Sequence, residues 1–122
     1  MKLGRKISGG KYKKGRKKKL HEKAGLKKSV KVGEEKKKVR RVRGGNLKAI
    51  SLGAKFVNLG NSNNKGNKKV EIKTVLETPS NRFLARQNVL TKGTVIETSD
   101  GKVRITNRPT QEGMINGILL KE

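Results

Sequence analysis

The sequence predicts an all-β protein: a small, six- to seven-stranded barrel-like body over residues 37–122, carrying a long, basic, extended N-terminal arm over residues 1–36. Three observations predict it. From about Lys37 onward Val, Ile and Thr recur in short runs separated by Gly, Asn and Pro, which is how strands joined by turns read. Before that point the chain is rich in Lys and poor in apolar side chains. Asp100-Gly101 stands between two β-rich runs, a strong short-range hairpin signal.

Charge divides the chain. It has 122 residues, with 33 Lys and Arg against 9 Asp and Glu, for a formal net charge of +24. The first 43 residues hold 20 Lys and Arg and 3 Glu; the remaining 79 hold 13 Lys and Arg and 6 acids. Apolar side chains run the other way, 11 in the first part and 26 in the second. The first part therefore lacks the apolar surface that would offset an ordering cost of about 1–2 kcal/mol per residue, whereas the second can build a small core. Like charges at this density oppose compaction unless a polyanion neutralises them, so a nucleic acid is the expected partner. An anionic membrane would call for an amphipathic helix, and the arm has too few large apolar residues to supply one.

The strands are expected at Lys37–Val42, Leu47–Leu52, Lys55–Leu59, Val70–Glu77, Thr94–Thr98, Lys102–Asn107 and Met114–Leu120. The run Gly60–Lys69 contains no apolar residue and reads as an exposed loop. Pro79, Ser80 and Asn81 mark a turn that caps a short helical segment through Arg86. A type I′ turn at Asp100-Gly101 sets Ile96 opposite Ile105, Thr98 opposite Val103 and Glu97 opposite Arg104. Closing such short strands into a barrel also removes exposed edges. In the arm, only Lys17–Ala24 suggests a short helix, with Leu20 its one large apolar residue.

Catalysis is not expected. The chain has no Cys, which excludes disulfide frameworks, thiolate zinc sites and Cys nucleophiles. His21, the only histidine, stands in the Lys-rich arm, where nothing orients a general base. The acids are scattered, and no cluster has metal-ligand spacing. Ser8-Gly9-Gly10-Lys11 evokes a phosphate loop but fails the spacing, because Arg5 stands where the first glycine belongs and Tyr12 follows Lys11. No cofactor and no small-molecule substrate is expected. The longest apolar runs are three residues, Phe83–Ala85 and Ile118–Leu120, so no membrane span or secretory core is expected and the cytoplasm is the simplest location.

Three segments carry the binding chemistry. In the arm, Gly9 and Gly10 let the backbone pass close to a phosphate chain that Arg5, Lys6 and Lys11 neutralise, followed by Lys13, Lys14, Arg16, Lys17, Lys18 and Lys19; the plain alternative is a solvated basic tail. At the junction, Lys36 and Lys37 lead into Arg40, Arg41 and Arg43, whose guanidinium forks suit phosphate. Gly44 and Gly45 allow a tight bend there, Asn46 tolerates a positive φ and offers hydrogen bonds, and Lys48 follows; the alternative is an ordinary turn. In the third segment Arg82 and Arg86, four apart, share one face of a helical turn, with Phe83 read as a core residue like Phe56. With so few aromatics, single-strand stacking sheets are disfavoured, and no major-groove motif is present. Folded RNA, recognised by shape and backbone, fits best.

The stretches RKISGGKYKKGRKKKLHEKAG (5–25), VGEEKKKVRRVRGGNLKAISL (32–52), ETPSNRFLARQNVLTKGTVIET (77–98) and GKVRITNRPTQEGMINGILL (101–120) resemble the archaeal and eukaryotic small-subunit ribosomal protein family numbered eight, eukaryotic type. VRRVRGGN and NRFLARQNVLTKG are its most specific segments, and the lack of a long late insertion resembles archaeal members. The Asn-rich 60–69 stretch departs from the family pattern. The resemblance implies a structural constituent of the small subunit, bound to its rRNA and to neighbouring ribosomal proteins, with no catalysis. It also implies a β-barrel-like body, a basic extension entering the rRNA, and RNA contacts at Arg5, Lys6, Gly9, Gly10, Lys11, Arg16, Lys17, Lys18, Lys19, Arg40, Arg41, Arg43, Gly44, Gly45, Asn46, Lys48, Arg82 and Arg86. A free-standing nucleic-acid-binding, chromatin or RNA-chaperone module is the rival.

Overall fold

The computed structural model describes residues 3–13, 15–60 and 66–120. Among the described residues, nine strands and two short α-helices follow one another: β1 (Val30–Val32), β2 (Lys36–Arg41), β3 (Leu47–Ala54), β4 (Phe56–Gly60), β5 (Lys68–Glu77), α1 (Arg82–Arg86), β6 (Val89–Leu90), β7 (Val95–Thr98), β8 (Gly101–Ile105), α2 (Pro109–Glu112) and β9 (Asn116–Leu119). All seven expected strands are present, and the fold is all-β with a barrel-like body. Strands β1 and β6 and helix α2 were not expected: two or three residues are too few to show a period, and only pairing with a neighbour makes them strands. β1 lies within the stretch assigned to the arm, yet Val30 is fully buried. Residues 3–13 and 15–29 are exposed throughout; the Lys17–Ala24 helix is reduced to one 3-10 turn at Leu20–Glu22.

Two sheets share one core. Strands β4, β5, β7, β8 and β9 form a closed barrel, and β2, β3, β1 and β6 form a second sheet in that order. The barrel is antiparallel except where it closes: β4 and β9 run parallel, with Asn58 opposite Asn116 and Leu59 opposite Gly117. Val57, Leu59, Val70, Ile72, Ile96, Val103 and Ile105 fill the interior from the barrel, while Val30, Ala54 and Leu90 pack in from the second sheet. In β5 the buried positions run 70, 72 and then 75, and the pairing with β7 shifts register between Ile72 and Thr74. That bulge switches the phase of the alternation and bends the strand, as a small barrel requires.

The hairpin between β7 and β8 forms with its loop one residue earlier than expected. Ile96 faces Val103, Glu97 faces Lys102 and Thr98 faces Gly101, so the loop residues are Ser99 and Asp100. A type I′ turn needs positive φ at both loop positions, but the positive φ (122°) falls on Gly101, at the mouth of β8. Thr98 secures the turn, its Oγ1 accepting from the Asp100 N–H at 3.3 Å and donating to the Gly101 carbonyl at 2.8 Å. The displacement is two residues in the pairing, so the apolar face survives: Ile96, Thr98, Val103 and Ile105 are all buried.

The phenylalanines also depart from expectation. Asn81 caps α1 as expected, its side chain accepting from the Phe83 N–H at 2.9 Å. The helix turns Ala85 toward the core and leaves Phe83 56% exposed. Phe56 is half-buried at the rim of the barrel, where the Lys69 ammonium lies 4.3 Å from its ring centre. Of the expected 60–69 loop, Gly60 ends β4, Lys68 and Lys69 open β5, and residues 61–65 lie outside the described residues. No helix among the described residues is long and apolar enough to cross a membrane.

Candidate nucleic-acid interface

The tip of the β2–β3 hairpin concentrates unpaired cations. The Val42 N–H donates to the Asn46 carbonyl at 2.8 Å, closing a three-residue 3-10 turn over Arg43–Gly45. Gly44 and Gly45 take φ values of 78° and 79°, conformations that cost a residue with a Cβ. Asn46 is extended (φ −65°, ψ 148°), so the bend rests on the glycines and not on Asn46. Behind the turn Arg40 pairs with Lys48 and Arg41 with Leu47. β2 is an edge strand exposed along its whole length, with lysines and arginines at five of six positions. Charge at an edge discourages pairing with a further strand and leaves the side chains free for a ligand.

An open basin of about 610 Å³ lies beside this tip, lined by Arg40, Arg41, Arg43 and Lys48, by Lys28 and Leu26 from the N-terminal stretch, and by Thr110 and Gln111 of α2. The Lys48 ammonium donates to Gln111 Oε1 at 3.2 Å, a neutral partner that leaves its charge uncompensated. Among the described residues, no carboxylate is within ion-pair distance of any of these five cations. Three guanidinium forks and two ammonium groups around one concavity produce a field that a polyanion would neutralise.

The other expected contacts lie elsewhere. Lys36 and Lys37 stand at the opposite end of β2, Lys37 across from Ser51. Arg82 and Arg86 are exposed at the two ends of α1, with the Arg82 guanidinium 5.6 Å from the centre of the Phe83 ring. Arg5 and Lys11 pair across a small loop in which the Lys6 N–H donates to the Gly10 carbonyl at 2.8 Å and Gly9 takes φ 78°. Lys13, Lys17, Lys18 and Lys19 are exposed along the stretch that follows, and Lys14 lies outside the described residues. Arg16 is already engaged: it donates to both oxygens of Glu22, which also accepts the Lys19 N–H at 3.0 Å. Those donors, Arg16 first, hold the Glu22 carboxyl below its ordinary value, and the accepting Glu22 carboxylate in turn raises the Arg16 guanidinium above its own. His21 stands on the same carboxylate at 3.9 Å, exposed, with no second group among the described residues to orient it. Lys28, from the Lys27-Lys28 pair, and Lys92 and Arg108, each isolated in sequence, carry no motif signal, and folding alone gathers them near the others.

A family model described as ribosomal protein S8e matches residues 1–120. The chain belongs to the ribosomal protein S8e family. It is 41% identical over 119 residues to the small ribosomal subunit protein eS8 of Sulfolobus acidocaldarius, covering 97% of this chain and 93% of the relative. With the eS8 protein of Staphylothermus marinus it shares 44% identity over the same shares of each chain. The Nanoarchaeum equitans eS8 protein is 41% identical over 94% of this chain and 91% of its own. The likeness read from the four basic and β-rich stretches is thereby borne out. S8e proteins are structural and non-enzymatic, which accords with the dispersed acids and the unoriented His21.

Proposed function

We propose that this S8e-family protein is a structural constituent of the small ribosomal subunit, in the cytoplasm, that binds folded rRNA and neutralises its packed phosphates. The observation that carries it is the set of five cations around the hairpin-tip basin, none with a carboxylate partner among the described residues. Family membership supports the same role, as do relatives named for the small subunit. In this role the β-body places the hairpin tip and α1 against the RNA surface. The exposed stretch before β1 acts as a basic extension that follows the phosphate backbone, with neighbouring ribosomal proteins completing the environment. Each phosphate contact releases condensed counterions, so binding carries a steep salt dependence.

Titrating the purified chain against protein-free small-subunit rRNA tests this. Log affinity is expected to fall linearly with log salt, at roughly 0.7–0.9 per phosphate neutralised. Weak binding with a flat salt response would overturn the proposal. Sedimentation of subunits after a high-salt wash separates a built-in constituent, which stays on the particle, from a free-standing nucleic-acid module, which leaves it.

A further inference from the structure

We propose that the cleft between α1, β6 and α2 receives one unstacked base of the bound RNA, next to the phosphates held in the hairpin-tip basin; this rests on the RNA-binding reading above. The cleft measures about 480 Å³, and its walls are apolar: Leu84 of α1, Val89 and Leu90 of β6 and Pro109 of α2. Concave, mostly apolar surfaces with a few polar groups are where small planar ligands bind. Its mouth is basic, with Lys27, Lys92 and Arg108 around it and no carboxylate in the lining. Glu112, which feels both Arg108 and Lys92, is engaged with the Asn107 amide at 3.0 Å and the Arg108 N–H at 3.3 Å.

Two features favour a nucleotide over an acidic protein segment. Lys28 and Thr110 line both this cleft and the basin, so one anionic backbone can run from the arginines to the cleft mouth without a break. The hydroxyls of Ser29, Ser80 and Thr110 border the apolar walls and take no hydrogen bond among the described residues, leaving donors and acceptors for a base edge. Sequence-selective RNA recognition works in this way, with an unpaired base splayed out, packed against side chains and bonded at its edges. A fully paired helix would fill the basin and leave the cleft empty.

The test uses the full chain and five RNA hairpins of one stem sequence: one fully paired, the others each with a single unpaired A, C, G or U. At least one bulged hairpin is expected to bind about tenfold tighter than the paired one, the scale of one base packed against a protein surface. Leu84→Trp, which blocks the cleft from within, and Ser80→Trp, which blocks it from an exposed rim position, are each expected to erase that preference. Affinity for the paired stem should stay as in the wild type. Equal affinity for all five hairpins, or a preference that survives Ser80→Trp, would overturn the inference while leaving the RNA-binding role intact. Failure to bind even the paired stem would remove that role as well. A leucine-bearing acidic peptide that binds wild type but not Ser80→Trp, with no bulge preference, would assign the cleft to a protein and also overturn the inference.

Discussion

The Arg16 guanidinium donates to both carboxylate oxygens of Glu22, at 2.8 and 2.6 Å, while the arginines of the β2–β3 tip meet no carboxylate among the described residues. Similar residues in one basic stretch of sequence are therefore in different electrostatic states. An RNA phosphate must displace Glu22 to reach Arg16, whereas Arg40, Arg41 and Arg43 need displace nothing. Glu22→Gln removes the competing charge and frees the fork. It is expected to tighten binding to small-subunit rRNA, roughly two- to fivefold at low salt, the scale of an exposed ion pair. Unchanged or weaker binding in a filter assay would show that Arg16 takes no part.

Replacing Arg40, Arg41 and Arg43 together by Ala is expected to weaken rRNA binding and to lower the salt slope by roughly two to three units, one for each lost phosphate contact. Their side chains are exposed, so the thermal melt of the free protein should barely move. A slope equal to that of the wild type would remove the hairpin tip from the interface.

Phe83 and Ile96 are expected to behave oppositely. Phe83 is 56% exposed and Ile96 fully buried. Phe83→Ala should change unfolding free energy by no more than about 0.5 kcal/mol, as surface substitutions do. Ile96→Ala should cost about 2–5 kcal/mol, from lost burial and the cavity left between β5 and β8. Urea unfolding measures both, and a large loss for Phe83→Ala would return that ring to the core.

The Lys68 ammonium meets the Asp100 carboxylate at 2.6 Å, fastening the start of β5 to the β7–β8 turn. Hydrogen bonding to Lys68, chiefly, holds the Asp100 carboxyl below its ordinary 3.8. A lowered folded-state pKa means that the pair stabilises the fold above the ordinary value and ceases to do so as pH falls through the lowered one. Asp100→Asn should therefore melt below the wild type at pH 6, and the gap should narrow as pH falls below the ordinary carboxyl value. A gap independent of pH would assign the loss to packing of the turn.

Gly117 is where the barrel closes. A Cβ there would meet Val103 Cγ1 at 2.5 Å, the Arg104 carbonyl oxygen at 3.1 Å and Val57 Cγ2 at 3.3 Å. All three contacts are backbone or packed core and cannot move aside, so Gly117→Val should destabilise by about 1–3 kcal/mol or more, as overpacking does. A variant as stable as the wild type in urea would mean that β9 does not pack this closely against β8 and β4 in solution.

Local chemistry determined much of this protein in advance. Strand periods from Lys36 to Leu119, the Asn81 cap, the glycine bend after Arg43 and the basic stretch before Val30 are properties of near neighbours, and a one-dimensional pattern shows them. The family was legible for the same reason, since its motifs are runs of adjacent residues. Where Asp100-Gly101 misled, one glycine could serve either the centre of the turn or the mouth of the strand, and pairing with Thr98 chose the second. Tertiary structure alone decided the rest: the short strands β1 and β6, the parallel closure of β4 on β9, the outward face of Phe83, and the meeting of Lys28 with Arg40, Arg41, Arg43 and Lys48. Those depend on which distant segments touch. A residue's charge is written in the chain, but whether that charge finds a partner is settled only once the chain has folded.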